Sequence, residues 1–426
     1  MIGQSRVADD TARKAMRFAM VTLLLSATIF QRFGVGSADF AVSPSLMAAY
    51  LVLAVAALSG SLAISASRSI LYLASVGVAF TSFLFNEHRS SFPSLLLLLI
   101  LYLPFVFLLK EHSLAENDGD WMWRQFSRLA MVCAIAGIAQ FFAQFVIHGQ
   151  WLFDITSLVP EALRNSGTFN TVIPVGSFNK ANGFFFREPS GFSFFMALAL
   201  ISEVVTHRRV ARIACYTLAL LLTYSGTGIL VLLIGTCYPL GRKTFVRLGV
   251  VACVGALVFG LLGDSLNLSV TVGRLGEFSE DSSRSSGYIR YIAPGRLLAD
   301  LFTSDSWSPW VGHGPGTIFR TVREYEFHDP TWAKLLFEYG LLGFCLFVGL
   351  FAFTLRRPAI PMQVRASLFW AWLVTGGHLL SPEQNYLTLV LIGLLPLSAR
   401  LSEAATLPHH FPEDERLAAT DGGLHA

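Results

Sequence analysis

Two short stretches set an acid before a proline where a polar segment meets an apolar one: Arg187-Glu188-Pro189-Ser190 and His328-Asp329-Pro330-Thr331. A guanidinium is the side chain of choice for bidentate phosphate binding. An imidazole can accept a proton near neutral pH, as can a carboxylate in a suitable setting. Proline suits the first turn of a helix and the acid before it suits the N-cap. Each stretch therefore aims free backbone N–H groups and the positive end of a helix dipole outward, toward any anion at the mouth. Ser381-Pro382-Glu383 repeats the pattern a third time. Glu188 and Asp329 can serve as caps, as chemical groups, or as both.

Other candidates crowd the same region. Arg274, Arg284, Arg290, Arg296, Arg320 and Arg323 fall in one long polar interval. For a single arginine there, a loop salt bridge or a headgroup contact is the commoner role. Tyr288 and Tyr291 flank Arg290 and could offer stacking or hydroxyl contacts to a sugar. Gly312-His313-Gly314-Pro315-Gly316 lacks the Lys-Ser/Thr of a nucleotide loop and follows no strand, so it reads as a tight turn. Lys334 and Glu338 are spaced to satisfy one another on a helix, and Glu338 could equally orient His328.

The elements that must hold these groups are membrane helices. Of 426 residues, 54% are hydrophobic and 14% charged, against about 25% charged in soluble domains. A helix crossing a hydrocarbon core of about 30 Å needs roughly 20 apolar residues. That length marks spans near 16–31, 44–63, 69–85, 92–109, 127–147, from Pro189 onward, 247–263, 331–354, 366–381 and 384–399. The segment 210–240 is long for one crossing and short for two. Cytoplasmic loops collect Lys and Arg. If 210–240 turns at Ser225-Gly226-Thr227-Gly228, 19 of the 31 basic residues lie inside and 12 outside. A single crossing would strand Arg242, Lys243 and Arg247 outside. The hairpin gives an all-α polytopic protein of about twelve spans with both termini inside. Residues 1–400 then form one integral membrane domain, with long outer loops at about 148–188 and 264–329. Residues 401–426 form a polar cytoplasmic tail, expected to be disordered.

Ionisable groups inside spans are few, and they gather at the outer ends: Lys334, Glu338 and His378, with Glu203 at an inner end. An ion-coupled transporter would place them near the midplane. Five cysteines sit in apolar runs without metal-ligand spacing and read as packing residues. A net charge of +3 points to no nucleic-acid partner.

The series from Gly312 to Gly316, then His328-Asp329-Pro330, then Glu338-Tyr339-Gly340-Leu341-Leu342-Gly343 resembles the O-antigen polymerase and O-antigen ligase superfamily. Those proteins carry a glycine-rich turn ending a large periplasmic loop, then a histidine and a Glu-x-Gly-x-x-Gly helix. Thr223 to Gly228 resembles the family's Ser/Gly hairpin, and Phe186 to Ser190 resembles the exopolysaccharide polymerases' arginine before a membrane helix. The likeness covers roughly residues 127–400 as an order of features.

This resemblance implies a C-type glycosyltransferase-like fold in the bacterial inner membrane and a polyprenyl-diphosphate-linked oligosaccharide donor. It implies a metal-independent reaction with no cofactor, and as partners membrane lipids, a flippase and a chain-length regulator. By position, Arg187 and Arg290 match the diphosphate-binding arginines and His328 the histidine that activates the acceptor hydroxyl, with Glu188 as the other candidate base. Arg284, Tyr288, Tyr291, Arg320, Arg323 and Asp329 are the expected substrate contacts. Asp-Pro after His328, where ligases commonly have Asn, and Glu-Pro-Ser after Arg187 both favour a polymerase. A ligase moving glycan to lipid A core or protein is the alternative, and a flippase or transporter of lipid-linked sugars is the rival class.

Overall fold

Apolar runs become helices, and a computed structural model of the chain describes how they pack. It describes residues 2–37, 40–110, 118–147, 149–164, 171–207, 209–238, 288–304, 306–321, 327–358 and 360–395, with nine further positions between 246 and 260. Arg284, Arg323, most of the expected span 247–263, residues 264–287 and the tail from 401 lie outside the described residues.

The chain is mostly helical. The first five helices are α1 (Ile2–Thr28), α2 (Pro44–Leu58), α3 (Ala66–Phe85), α4 (Phe92–Tyr102) and α5 (Asp118–Ala143). After a long connection come α6 (Pro189–Ser202), α7 (Val210–Leu221) and α8 (Gly226–Thr236). The last five are α9 (Ala293–Ser304), α10 (Ser308–Val311), α11 (Thr331–Thr354), α12 (Met362–Val374) and α13 (Pro382–Thr388). Among the described residues strands form three short antiparallel ladders, one of which pairs Leu62–Ile64 with Phe107–Leu109 and ties the α2–α3 connection to the end of α4.

Among the described residues four helical segments are long and apolar enough to cross a membrane: Ala66–Phe85, Asp120–Ala143, Pro189–Thr206 and Thr331–Thr354. The segment 210–240 contains two helices, α7 and α8, joined by a turn at 222–225, so the chain turns just before the expected Ser225-to-Gly228 position and Gly226 to Gly228 begin α8. Each covers about 17 Å at 1.5 Å per residue, roughly half a hydrocarbon core.

Burial separates two kinds of helix. α6 is central, buried along nearly its whole length and packed against α5, α7, α8 and α12. α3 keeps Ile70, Leu73, Leu84 and Phe85 exposed while its small residues Ser75, Ala79 and Ser82 are buried. An apolar outward face on that scale suits hydrocarbon rather than water.

The glycine-rich turn lies across α11, not beside it. Gly340 has φ 64° inside the helix and kinks it there. The Phe337 and Glu338 carbonyls, freed from continuous helix, accept from the His313 and Gly314 N–H groups at 2.9 and 3.0 Å. The Ser82 hydroxyl donates to the same Glu338 carbonyl at 2.7 Å. Backbone meets backbone at this crossing. A Cβ at Gly340 would overlap the Trp310 carbonyl, and one at Gly312 (φ 76°) would overlap the peptide after Glu338.

Alanine at Gly340 or Gly312 should therefore destabilise the protein by more than about 2 kcal/mol, from overlap plus a left-handed backbone. Gly349 lies on the same helix, where a Cβ would meet only Leu71 at 3.9 Å, and Gly349→Ala should be tolerated. Thermal unfolding in detergent compares the three. A parent-like midpoint for Gly340→Ala would remove the crossing as a constraint.

Candidate functional site

Both acid–proline mouths open into one cavity of about 510 Å³. Arg187, Glu188, Arg290, His328 and Asp329 all line it, as do Thr227, Lys334, His378, Glu383 and Gln384. Residues separated by nearly 200 positions in sequence thus share one wall.

Arg187 precedes α6 and is held rigidly. Its Nε and Nη2 donate to the Gln31 carbonyl at 2.9 and 2.7 Å, and Nη2 also donates to Glu383 Oε1 at 2.9 Å. Gln31 lies just beyond α1, and the buried Arg32 beside it donates through Nε to the Phe186 carbonyl at 3.0 Å. The α1 end and the α6 mouth are thereby laced together from both sides.

Arg290 reaches the cavity from a turn of π-helix, Tyr288–Ile292, that leads into α9. Its Nη1 donates to Thr227 Oγ1 at 3.2 Å, and Nη2 lies 3.9 Å from Glu188 Oε1. Gly228 makes the first contact possible. A Cβ there would sit 2.6 Å from the Ser193 carbonyl oxygen, so only glycine lets the start of α8 lie against α6. The Gly228 N–H donates to Ser193 Oγ at 3.1 Å. The Ser/Gly hairpin thus helps to position an arginine. His328 is fixed beside Arg290, since its N–H donates to the Ile289 carbonyl at 3.0 Å.

Several expected roles change. Glu188 occupies the N-cap position of α6 but makes no side-chain cap hydrogen bond. Its carboxylate instead accepts from the Ser190 hydroxyl and faces Arg290. Asp329 is not the cap of α11. Pro330 takes that position, and Asp329 pairs with Lys334 at 3.1 Å. Lys334 consequently lies nearer Asp329 than Glu338, which is 4.0 Å away, and sits 3.9 Å from the centre of the Phe319 ring. The first turn of a helix points back toward its mouth, so an acid just before the helix can outcompete one a turn later.

Tyr288 is 2% exposed, with the Arg296 guanidinium 5.5 Å from its ring centre. It does not line the cavity, nor does Tyr291, whose phenol burial pushes upward while Arg290 pulls it down. Arg320 lies elsewhere, its Nη1 donating to the Arg89 and Ser90 carbonyls at 3.2 and 3.4 Å.

Three lining residues had no assigned role in the sequence. Glu383 is the carboxylate that holds Arg187, and Ser381 donates to its Oε2 at 3.1 Å. The Ser-Pro-Glu pattern at this mouth was the available signal. His378 Nε2 lies 3.2 Å from Thr375 Oγ1. Gln384 Nε2 is buried with no hydrogen-bond partner among the described residues, a donor suited to a ligand oxygen. No protein-family model matches the chain, and no curated protein matches it in sequence.

The arrangement can bind an anion between fixed guanidinium groups while holding an imidazole and a carboxylate beside it. Lys334 is the buried partner of Asp329 at 3.1 Å and of the fully buried Glu338 at 4.0 Å, and a buried charge stripped of its partner costs about 3–5 kcal/mol. Lys334→Met should lower the unfolding midpoint sharply, and adding Asp329→Asn should restore part of the loss. A midpoint unchanged in the single variant would show that the pair contributes nothing.

Proposed function

We propose that this chain is a multi-pass membrane glycosyltransferase that polymerises polyprenyl-diphosphate-linked oligosaccharide repeat units, building O-antigen or exopolysaccharide. The acceptor sugar hydroxyl attacks the anomeric carbon of the donor, the bond from that carbon to phosphate breaks, and polyprenyl diphosphate leaves. Arg187 and Arg290 stabilise the charge developing on the leaving oxygens, and fixed donors of that kind supply a large share of catalysis. His328 takes the hydroxyl proton, with Glu188 the neighbouring alternative. Gln384 donates to a sugar or phosphate oxygen.

One observation carries the reading: Arg187, Glu188, Arg290 and His328 line a single cavity. The motifs that gave the family likeness separately in sequence are neighbours in space. Further support comes from the two ends of the bundle. Gln31, Arg187, Glu383, Arg290 and His328 meet at one end, which the charge distribution assigns to the periplasmic face. Arg68 contacts Thr354 and Gly393, and the charge distribution puts Arg68 and the Thr354 end of α11 at the cytoplasmic side. In this reading the chain has twelve spans and both termini in the cytoplasm of a bacterial inner membrane.

Purified protein incubated with one lipid-linked repeat unit should give a ladder of products. Arg290→Ala, whose guanidinium contacts Thr227 and Glu188 through side chains, should cut product by at least about 100-fold while the protein keeps its size-exclusion profile. Arg187→Ala should do the same with some loss of stability. No product without a second glycan acceptor would mean a ligase, and movement across liposomes without bond formation would mean a flippase. Parent-level polymer in both arginine variants would sink the reading.

A further inference from the structure

The cavity wall is charge-matched. Arg187 faces Glu383 at 2.9 Å, Lys334 faces Asp329 at 3.1 Å and Arg290 faces Glu188 at 3.9 Å. All six side chains line the same space. Three cations meet three carboxylates.

A site built only to capture a diphosphate would gain by leaving its cations unopposed. The proposed reaction supplies a reason to oppose them. The donor is a diphosphate diester. When the acceptor oxygen bonds to the anomeric carbon, the electron pair of the broken bond stays on the diphosphate, and the acceptor proton goes to the base. The leaving group therefore carries one negative charge more than the donor it came from. A purely cationic wall would hold product more tightly than substrate, and each turnover would end in a trapped enzyme.

We infer that Glu383, seconded by Glu188, is an internal competitor of the diphosphate: it keeps Arg187 from holding the product and so drives product release. Glu383 acts through Arg187 and is a positioning residue, not a catalytic one. Its carboxylate is nearly buried, so it presents a full charge to the guanidinium with little screening, and the Ser381 hydroxyl keeps it in place. Glu188 plays the same part more weakly, because its separation from Arg290 is longer and its side chain is 39% exposed. This inference rests on the proposed diphosphate chemistry and adds to it a reason for each carboxylate on the wall.

The test is binding of inorganic pyrophosphate to the purified full-length protein in detergent, by calorimetry. Parent protein should bind it, and Arg290→Ala should weaken that binding. Glu383→Gln keeps the shape and a hydrogen-bonding group while deleting the charge. It should bind pyrophosphate about tenfold more tightly and should stall after its first turnovers with polyprenyl diphosphate retained. A merely structural role predicts the opposite sign, since a loosened Arg187 binds an anion less well. Unchanged or weaker binding in Glu383→Gln would overturn the inference and leave the glycosyltransferase reading standing. Should that variant fail to fold, Glu188→Gln carries the same prediction with a smaller tightening, and unchanged binding there overturns it equally. Absence of any arginine-dependent pyrophosphate binding in the parent would overturn both this inference and the reading beneath it.

Discussion

The crossing of Gly312 over Gly340 is the contact on which the site depends. Two backbones approach so closely that neither can carry a side chain, and the kink at Gly340 turns two helix carbonyls into acceptors for the glycine-rich turn. Once that turn is seated, Ile318 lies beside Phe337, and these two form a small core with Leu297, Leu298 and Leu301 of α9. The π-helical turn carrying Arg290 leads directly into α9. A phosphate-binding candidate is therefore placed by a chain of apolar contacts that begins at a glycine about fifty residues away. The crossing also seats Glu338, whose Oε1 accepts from the Ile318 N–H at 3.4 Å. It belongs to the architecture of the turn more than to the chemistry in the cavity.

Much of this was legible in the sequence, and the limits have physical causes. Hydrophobic run length located the helices, because crossing hydrocarbon demands a minimum of apolar residues whatever the tertiary fold. Basic-residue placement called for a turn within 210–240 where run length alone could not, and two helices meet there at 222–225. Proline before an apolar run located the helix mouths, since proline tolerates little else. What lay beyond reach was which acid would meet which base. The i,i+4 spacing of Lys334 and Glu338 gives a pair at 4.0 Å, but it could not show that Asp329, at the helix mouth, lies nearer at 3.1 Å. Glu188 looked like a cap and became the partner of an arginine about a hundred residues on. Tyr288 looked like a sugar contact but is buried, with the Arg296 guanidinium over its ring. Glu383 stood in plain view after Ser381-Pro382, yet nothing in its own segment names Arg187. Pairings across the fold are set by packing, and packing is the part that periodicity does not encode.

The two ends of the bundle show what distinguishes a structural cation from one poised to bind. Arg68 is 1% exposed, and it donates to the carbonyls of Phe105, Thr354 and Gly393, two of which close helical segments. Carbonyl dipoles at helix ends are fixed partners that cannot be displaced without unravelling the helices, so that arginine is sealed into the scaffold. Arg187 and Arg290 are partnered differently. Each faces a carboxylate across a cavity, and a phosphate oxygen can replace a carboxylate oxygen at a guanidinium with little change of geometry. Exchange of one oxyanion for another conserves the hydrogen bonds that a desolvated cation requires, and so avoids the cost of baring it. Carbonyl-held cations occur at both ends, Arg32 on Phe186 and Arg187 in part on Gln31 beside the cavity, whereas the carboxylate-paired Arg187, Arg290 and Lys334 all line the cavity. His328 and Glu188 stand within that same cavity, beside the two arginines.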